Sequence, residues 1–165
     1  MPPRKTASPR KTAPSRKTTA TRKKTPRPPK AIALPDIARR RSAISGWGVY
    51  ALDSINKNKR IVTYEGELID HDESYRREVK YLKKFEIWCF TVNRRWVRDA
   101  QVGGNIGRFL NHACKPNCYT EVVGRDIWIR AGRNITAGEE LTYDYYTDGD
   151  KIIQCKCKPG CKRKL

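Results

Sequence analysis

The stretch Gly104 to Cys118 gathers side chains that can do chemistry. Gly104 and Gly107 allow tight backbone, and Phe109 and Leu110 can anchor the segment in a core. Asn111, His112, Cys114 and Cys118 then arrive within eight residues, around a Pro116 that stops any helix. Amide, imidazole and thiol groups at this density could hold a cofactor or a metal. The plainer reading is an Asn/Pro-rich loop with two buried thiols. Cys155, Cys157 and Cys161 fall within seven residues of a highly charged C-terminal segment, and thiols so spaced read as metal ligands. Three is one short of a closed tetrahedral zinc site, so a fourth ligand must come from Cys114, Cys118, Cys89 or His112. If it lies in the first stretch, a metal staples the C-terminal segment over Asn111 and His112. In Glu140–Tyr146, a period of two puts Leu141, Tyr143 and Tyr145 on one strand face. Two phenols side by side can line a narrow slot, or simply pack.

The elements that would position these groups read as mainly β, a β-rich α+β chain. Ile32 to Ile37 can add an edge strand, and Gly46-Trp47-Gly48 reads as a tight turn entering a strand. Asn56 to Lys59 is a turn, and Ile61 to Ile69 is a β-rich run. Asp70 with Glu73 fits the capping pair of a charged helix from about Asp72 to Lys84, with Tyr75, Val79 and Leu82 on one apolar face. Ile87 to Val92 and Trp96 to Val97 are short strands. Tyr119 to Val123 and Ile127 to Ala131 flank Gly124-Arg125-Asp126 as a hairpin.

A length of 165 residues makes one domain the default. Residues 1–41 carry 14 Lys and Arg against one acid, Asp36, a net of +13. Residues 42–165 carry the remaining 22 against 16 acids, a net of +6. Arg-Lys-Thr recurs at Arg4, Arg10 and Arg16, with a stretched copy from Arg22 to Thr25. With no large apolar residue after Met1, the tail cannot offset its ordering entropy and is expected to be disordered. Its composition resembles histone and bacterial histone-like tails. Counterion release would let residues 1–30 bind DNA without sequence specificity. The alternatives are a spacer arm, or lysines that serve as substrates of the domain behind them. The N-terminus has no signal-peptide run and no stretch approaches a membrane span, so a reducing interior and no membrane partner are expected. There, six cysteines mean metal ligands or free thiols rather than disulfides.

Gly46-Trp47-Gly48, Tyr64-Glu65-Gly66-Glu67, Arg108-Phe109-Leu110-Asn111-His112 through Cys118, and Glu139-Glu140-Leu141-Thr142-Tyr143-Asp144-Tyr145 stand in the order and spacing of a SET domain. The resemblance covers about Ala38 to Leu165, and the cysteine tail looks like a post-SET zinc segment. It implies a tail over 1–37, a SET domain over 38–148 and a zinc-binding segment over 149–165. The implied fold is a set of small sheets with a C-terminal pseudoknot. The implied activity is S-adenosylmethionine-dependent protein-lysine methylation of histone or histone-like basic proteins by a monomer. The compartment would be nucleus and chromosome in a eukaryote, or cytoplasm and nucleoid in a bacterium. By motif, Gly46, Trp47, Gly48, Tyr81, Arg108, Asn111 and His112 would contact the cofactor. Tyr145 and Tyr64 would line the reaction centre. Tyr143 falls where the family has Phe or Tyr, and a Tyr there implies a narrow slot favouring one methyl transfer. Cys114, Cys155, Cys157 and Cys161 would bind a single zinc. A peptide would add as a strand beside the helix, drawn by acids such as Glu65, Glu67, Asp70, Asp72 and Glu73. Ala113 replaces the family's usual Ser, and the C-x-C-x3-C spacing is one residue shorter than the commoner form. A non-catalytic, zinc-stapled module that binds nucleic acid through its tail is the competing expectation.

Overall fold

The computed structural model describes residues 33–147 and 153–165. The basic repeats, and the expectations of disorder and DNA contact that rest on them, lie outside the described residues. Apolar strands separated by turns build three small sheets. β1 (Ile37–Arg41) and β2 (Trp47–Ala51) form an antiparallel hairpin, turned at Gly46 with φ +43°. The edge strand therefore begins at Ile37, and the described residues 33–36 before it are not in a strand. β3 (Arg60–Thr63) and β4 (Glu67–Ile69) are separate strands where the sequence reads as one run. They part at Gly66, where a Cβ would run into the backbone of Asp99 and Ala100. β5 (Cys89–Thr91) and β6 (Val97–Asp99) complete a sheet in the order β4-β6-β5.

β7 is the two-residue strand Asn111–His112. The hairpin of β8 (Cys118–Val123) and β9 (Asp126–Ala131) joins β3 in a sheet ordered β3-β9-β8. β10 (Glu140–Tyr143) enters between β2, antiparallel, and β7, parallel. The fold is the expected set of small sheets. Its main core joins Val49, Ile61, Leu110, Ile129 and Leu141 to the Tyr143 ring. No helix among the described residues is long and apolar enough to cross a membrane.

α1 (His71–Leu82) starts as the capping pattern predicts, with Asp70 Oδ1 accepting from the Glu73 N–H at 2.8 Å. The Glu73 carboxylate does not reach back but pairs with Arg76 and Arg77. The expected apolar face is wrong: Tyr75 is 71% exposed and Val79 41%. The side that packs inward carries Ser74, Arg77 and Tyr81. Its target is Asp99, fully buried at the end of β6, which accepts from Arg77 Nη1 at 2.8 Å, the Tyr81 hydroxyl at 2.9 Å and the Gln101 N–H at 2.9 Å. A carboxylate left unpaired there would cost more than exposing two apolar side chains, so the polar face wins.

Urea unfolding tests this assignment. Leu110→Ala should cost about 3 kcal/mol, while Tyr75→Ala and Val79→Ala should stay within about 0.5 kcal/mol of the parent. Comparable losses at all three positions would contradict the reported helix face.

Candidate active site and metal centre

The stretch from Gly104 folds as a tight 3-10 turn, Ile106–Phe109, capped by Asn105. Asn105 Oδ1 accepts from the Gly107 N–H at 2.9 Å, and its amide donates to the Thr63 carbonyl at 2.9 Å. Buried Leu110 then anchors the chain, and Asn111 and His112 pair with Thr142 and Tyr143 of β10. Asn117 fixes the segment that follows: its amide donates to the Glu140 carbonyl at 2.8 Å, and its Oδ1 accepts from the Thr142 N–H at 2.9 Å. The C-terminal strand is thereby tied to the loop that carries Cys114.

A cavity of about 320 Å3 opens beside this crossing. Gly46, Trp47, Arg108, Asn111, His112 and Tyr145 all line it. The Trp47 ring is occupied by the guanidinium groups of Arg39 and Arg41, 4.6 and 4.2 Å from its centroid. The tryptophan therefore serves the cavity through its backbone. Its carbonyl accepts from Asn111 Nδ2 at 2.9 Å, and that amide also donates to Glu140 at 2.8 Å. With both donors committed inward, Asn111 Oδ1 is left to accept from a ligand. The Arg108 guanidinium lies 4.7 Å from the Trp88 ring and 5.2 Å from the Phe109 ring, and its buried Nε has no partner. A cationic fork, an oriented amide and open backbone at Gly46 suit a ligand with a carboxylate and a polar heterocycle, such as the cofactor the resemblance implies.

Four aromatic rings lead away from the cavity. Tyr145 is 4.9 Å from Tyr143, Tyr143 is 6.2 Å from Phe90, and Phe90 is 5.6 Å from Tyr64, centroid to centroid. The Tyr145 hydroxyl donates to the Leu110 carbonyl at 2.8 Å, and the Tyr64 hydroxyl to the Trp88 carbonyl at 2.7 Å. Burial pushes all three phenols above their ordinary pKa, so they stay protonated near neutrality. Tyr64 also lines a second cavity of about 460 Å3, with Glu65 and Asp126.

The cysteines converge as the spacing suggests. The sulfurs of Cys114, Cys155, Cys157 and Cys161 lie within 4.8 Å of one another, with Cys114 Sγ 3.8 Å from Cys155 Sγ and 3.7 Å from Cys161 Sγ. A tetrahedral zinc with bonds of about 2.3 Å would hold its sulfurs about 3.8 Å apart, so the cluster fits that ion. The shorter spacing is absorbed by a turn at Lys158-Pro159-Gly160, where Gly160 has φ +69° and the Cys161 N–H reaches the Lys158 carbonyl at 3.2 Å. Cys118 and Cys89 sit outside the cluster, and burial pushes both thiols to about 12. His112 is a neighbour of the cluster: its Nδ1 faces the Tyr145 N–H at 3.3 Å and its Nε2 faces Cys114 Sγ at 3.6 Å. Burial lowers its pKa, which favours the neutral ring with its proton on Nε2.

Two expected cofactor contacts lie apart from the cavity. Tyr81 spends its hydroxyl on Asp99 and is absent from the cavity lining. Gly48 is also absent from the lining; a Cβ there would strike the Glu140 carboxylate, so its smallness serves β2–β10 packing. Phe85, Trp88 and Leu165 line the cavity without having been singled out from the sequence. Leu165, a lone apolar residue after Lys162-Arg163-Lys164, carried a readable signal. Trp88 and Phe85 did not.

The SET domain family profile matches residues 46–146. The chain is 43% identical over 133 residues to "Histone-lysine N-methyltransferase, H3 lysine-4 specific" of Saccharomyces cerevisiae, covering 74% of this chain and 12% of that protein. The Yarrowia lipolytica protein of the same description is 39% identical over 135 residues, covering 76% and 12%. Among solved structures, the chain resembles one described as a "Humanized mutant of the Chaetomium thermophilum Polycomb Repressive Complex 2 bound to the inhibitor GSK126". The TM-score is 0.62 at 30% identity, over 69% of this chain and 15% of that one. The chain thus spans about an eighth of the length of these curated relatives.

Metal analysis tests the cluster. The purified chain should carry a single zinc ion, Cys114→Ser should lose it and Cys118→Ser should keep it. Full metal content in Cys114→Ser would contradict the ligand set.

Proposed function

The chain belongs to the SET domain family, and from that membership we propose that it is a protein-lysine N-methyltransferase that uses S-adenosylmethionine and acts on histone or histone-like tails. The observation that carries this reading is Tyr145. Its ring stands at the cavity end of the aromatic run to Tyr64, with its hydroxyl proton committed to the Leu110 carbonyl. The names of the relatives support the substrate class, and chromatin would then be the compartment. The strongly basic residues 1–41 suit contact with DNA, the polyanion found there.

Gly46, Trp47, Arg108, Asn111 and His112 would hold the cofactor, which when bound supplies an electrophilic methyl on a sulfonium. The acceptor must be a neutral amine. Presenting a lysine of reference pKa about 10.4 in neutral form near pH 7.4 costs about 4 kcal/mol. Desolvation between Tyr143, Tyr145 and Tyr64, with a cation nearby, lowers that cost. Because the Tyr145 and Tyr64 protons point at backbone carbonyls, their oxygen lone pairs are free to accept from the amine and aim its lone pair. Alignment, rather than proton abstraction by a phenol, then supplies most of the acceleration. Tyr143, whose hydroxyl bonds to no described residue, narrows the slot and favours a single transfer.

Of the acids expected to draw a basic peptide, Glu65 keeps the role and three others are engaged elsewhere. Glu67 and Glu73 share the Arg77 guanidinium at 2.7 Å each, and Asp70 caps α1. Glu65 and Asp126, beside Tyr64, fit the role better. Zinc at the four cysteines would pin the C-terminal wall of the cavity. A non-catalytic chromatin-binding module gives no reason for the buried phenols or the committed Asn111 amide.

The test is incubation of the full chain with methyl-labelled cofactor and histone H3. Label on a lysine is expected, and its absence from every protein would overturn the proposal. Tyr145→Phe should lower kcat by about a hundredfold with cofactor affinity unchanged. Tyr143→Phe should extend the product to di- and trimethyllysine.

A further inference from the structure

The cysteine cluster explains how Cys155 and Cys161 are held, but not the chain end beyond them. Leu165 lies four residues past Cys161, is buried and lines the cavity. The residues between, Lys162-Arg163-Lys164, are all basic, and nothing apolar holds them to the body. One side chain does: Arg163 grips Asp144 with both terminal nitrogens, Nη1 to Oδ2 at 3.0 Å and Nη2 to Oδ1 at 3.0 Å. The pair is partly shielded, with 38% of the Arg163 side chain and 16% of that of Asp144 exposed. Lys156, Lys158, Lys162 and Lys164 are exposed and make no ion pair among the described residues.

Asp144 lies outside the cavity lining, against the two wall residues Tyr145 and His112. It directly precedes Tyr145, its Oδ1 accepts from the Tyr146 N–H at 3.1 Å, and the same oxygen is 3.5 Å from His112 Nδ1. Tyr146 has φ +48°, so the chain leaves β10 through a turn that this carboxylate braces. On the other side, the Arg163 carbonyl accepts from the Cys155 N–H at 2.9 Å, and Ile153 and Leu165 exchange backbone hydrogen bonds of 3.1 and 2.8 Å. The fork therefore ties Leu165, Tyr145 and His112 into one frame.

We propose that Arg163 is a positioning residue, a latch beside the cysteine cluster that seats the Leu165 wall against the Tyr145 turn and so sets cofactor affinity. The inference rests on the methyltransferase reading for its functional consequence, but the latch itself is a property of the free protein. A planar guanidinium is suited to it because it meets both carboxylate oxygens at once, which a single ammonium cannot.

Two measurements on the zinc-loaded full chain test it. Hydrogen exchange at the Leu165 and Ile153 amides should quicken about tenfold in Arg163→Ala, with bound zinc unchanged. Calorimetric titration with S-adenosylmethionine should show about tenfold weaker binding, raising KM for the cofactor and leaving kcat at saturation within about twofold. Arg163→Lys should recover less than half of either effect. In a double-mutant cycle, Asp144→Asn should add little to Arg163→Ala. Unchanged exchange, loss of zinc alongside the weaker binding, or full rescue by lysine would overturn the latch. A parent chain that binds no cofactor, yet shows the exchange effect, would overturn the methyltransferase reading and leave the latch standing.

Discussion

The parallel pairing of β10 with β7 is the constraint on which the site depends. Four residues meet in it, Thr142 against Asn111 and Tyr143 against His112. That register delivers the next odd-numbered residue, Tyr145, to the His112 ring at 5.5 Å between centroids. It also sets Cys114, two residues past His112, where the C-terminal cysteines can reach it. Two strands so short have little stability of their own. The Asn117 side chain, bonded to β10 through both its amide nitrogen and its amide oxygen, and the buried Leu110 and Leu141 hold them in place. An error of one residue in this pairing would turn Tyr145 away from the cavity.

From that crossing the electrostatic logic follows. Acidic groups at the centre are almost all spoken for: Asp99 by Arg77 and Tyr81, Asp144 by Arg163, and Glu140 by Ser42, Tyr50 and Asn111. The phenols are buried and protonated. The site thus offers oriented oxygen lone pairs without a free base, which suits a reaction whose nucleophile arrives already neutral. Glu140 shows how closely spaced these demands are. It orients the Asn111 amide, and it occupies the space that any side chain at Gly48 would need.

Much of this was legible in the sequence because the chemistry is encoded locally. The cysteine spacing, the Asn111-His112 pair and the alternation of Leu141, Tyr143 and Tyr145 each carry their meaning within a few residues. The hairpin at Gly124 and the Asp70 cap were readable for the same reason. The helix face was not. Tyr75 and Val79 keep helical spacing, but Asp99, distant in sequence, decides which face turns inward. The same carboxylate takes the Tyr81 hydroxyl. The split at Gly66 and the Arg163–Asp144 fork likewise depend on contacts between distant segments, to which periodicity is blind.

Under the proposed function, a neutral amine would be aligned by phenols that do not themselves act as bases. The pH dependence of kcat/KM, measured for the parent chain and for Tyr145→Phe, tests it most directly. Between about pH 6.5 and 8.5, both should rise about tenfold per pH unit as the acceptor lysine loses its proton, with the variant lower throughout. A profile that is steep in the parent and flat in Tyr145→Phe would show the phenol to be the base and contradict the account.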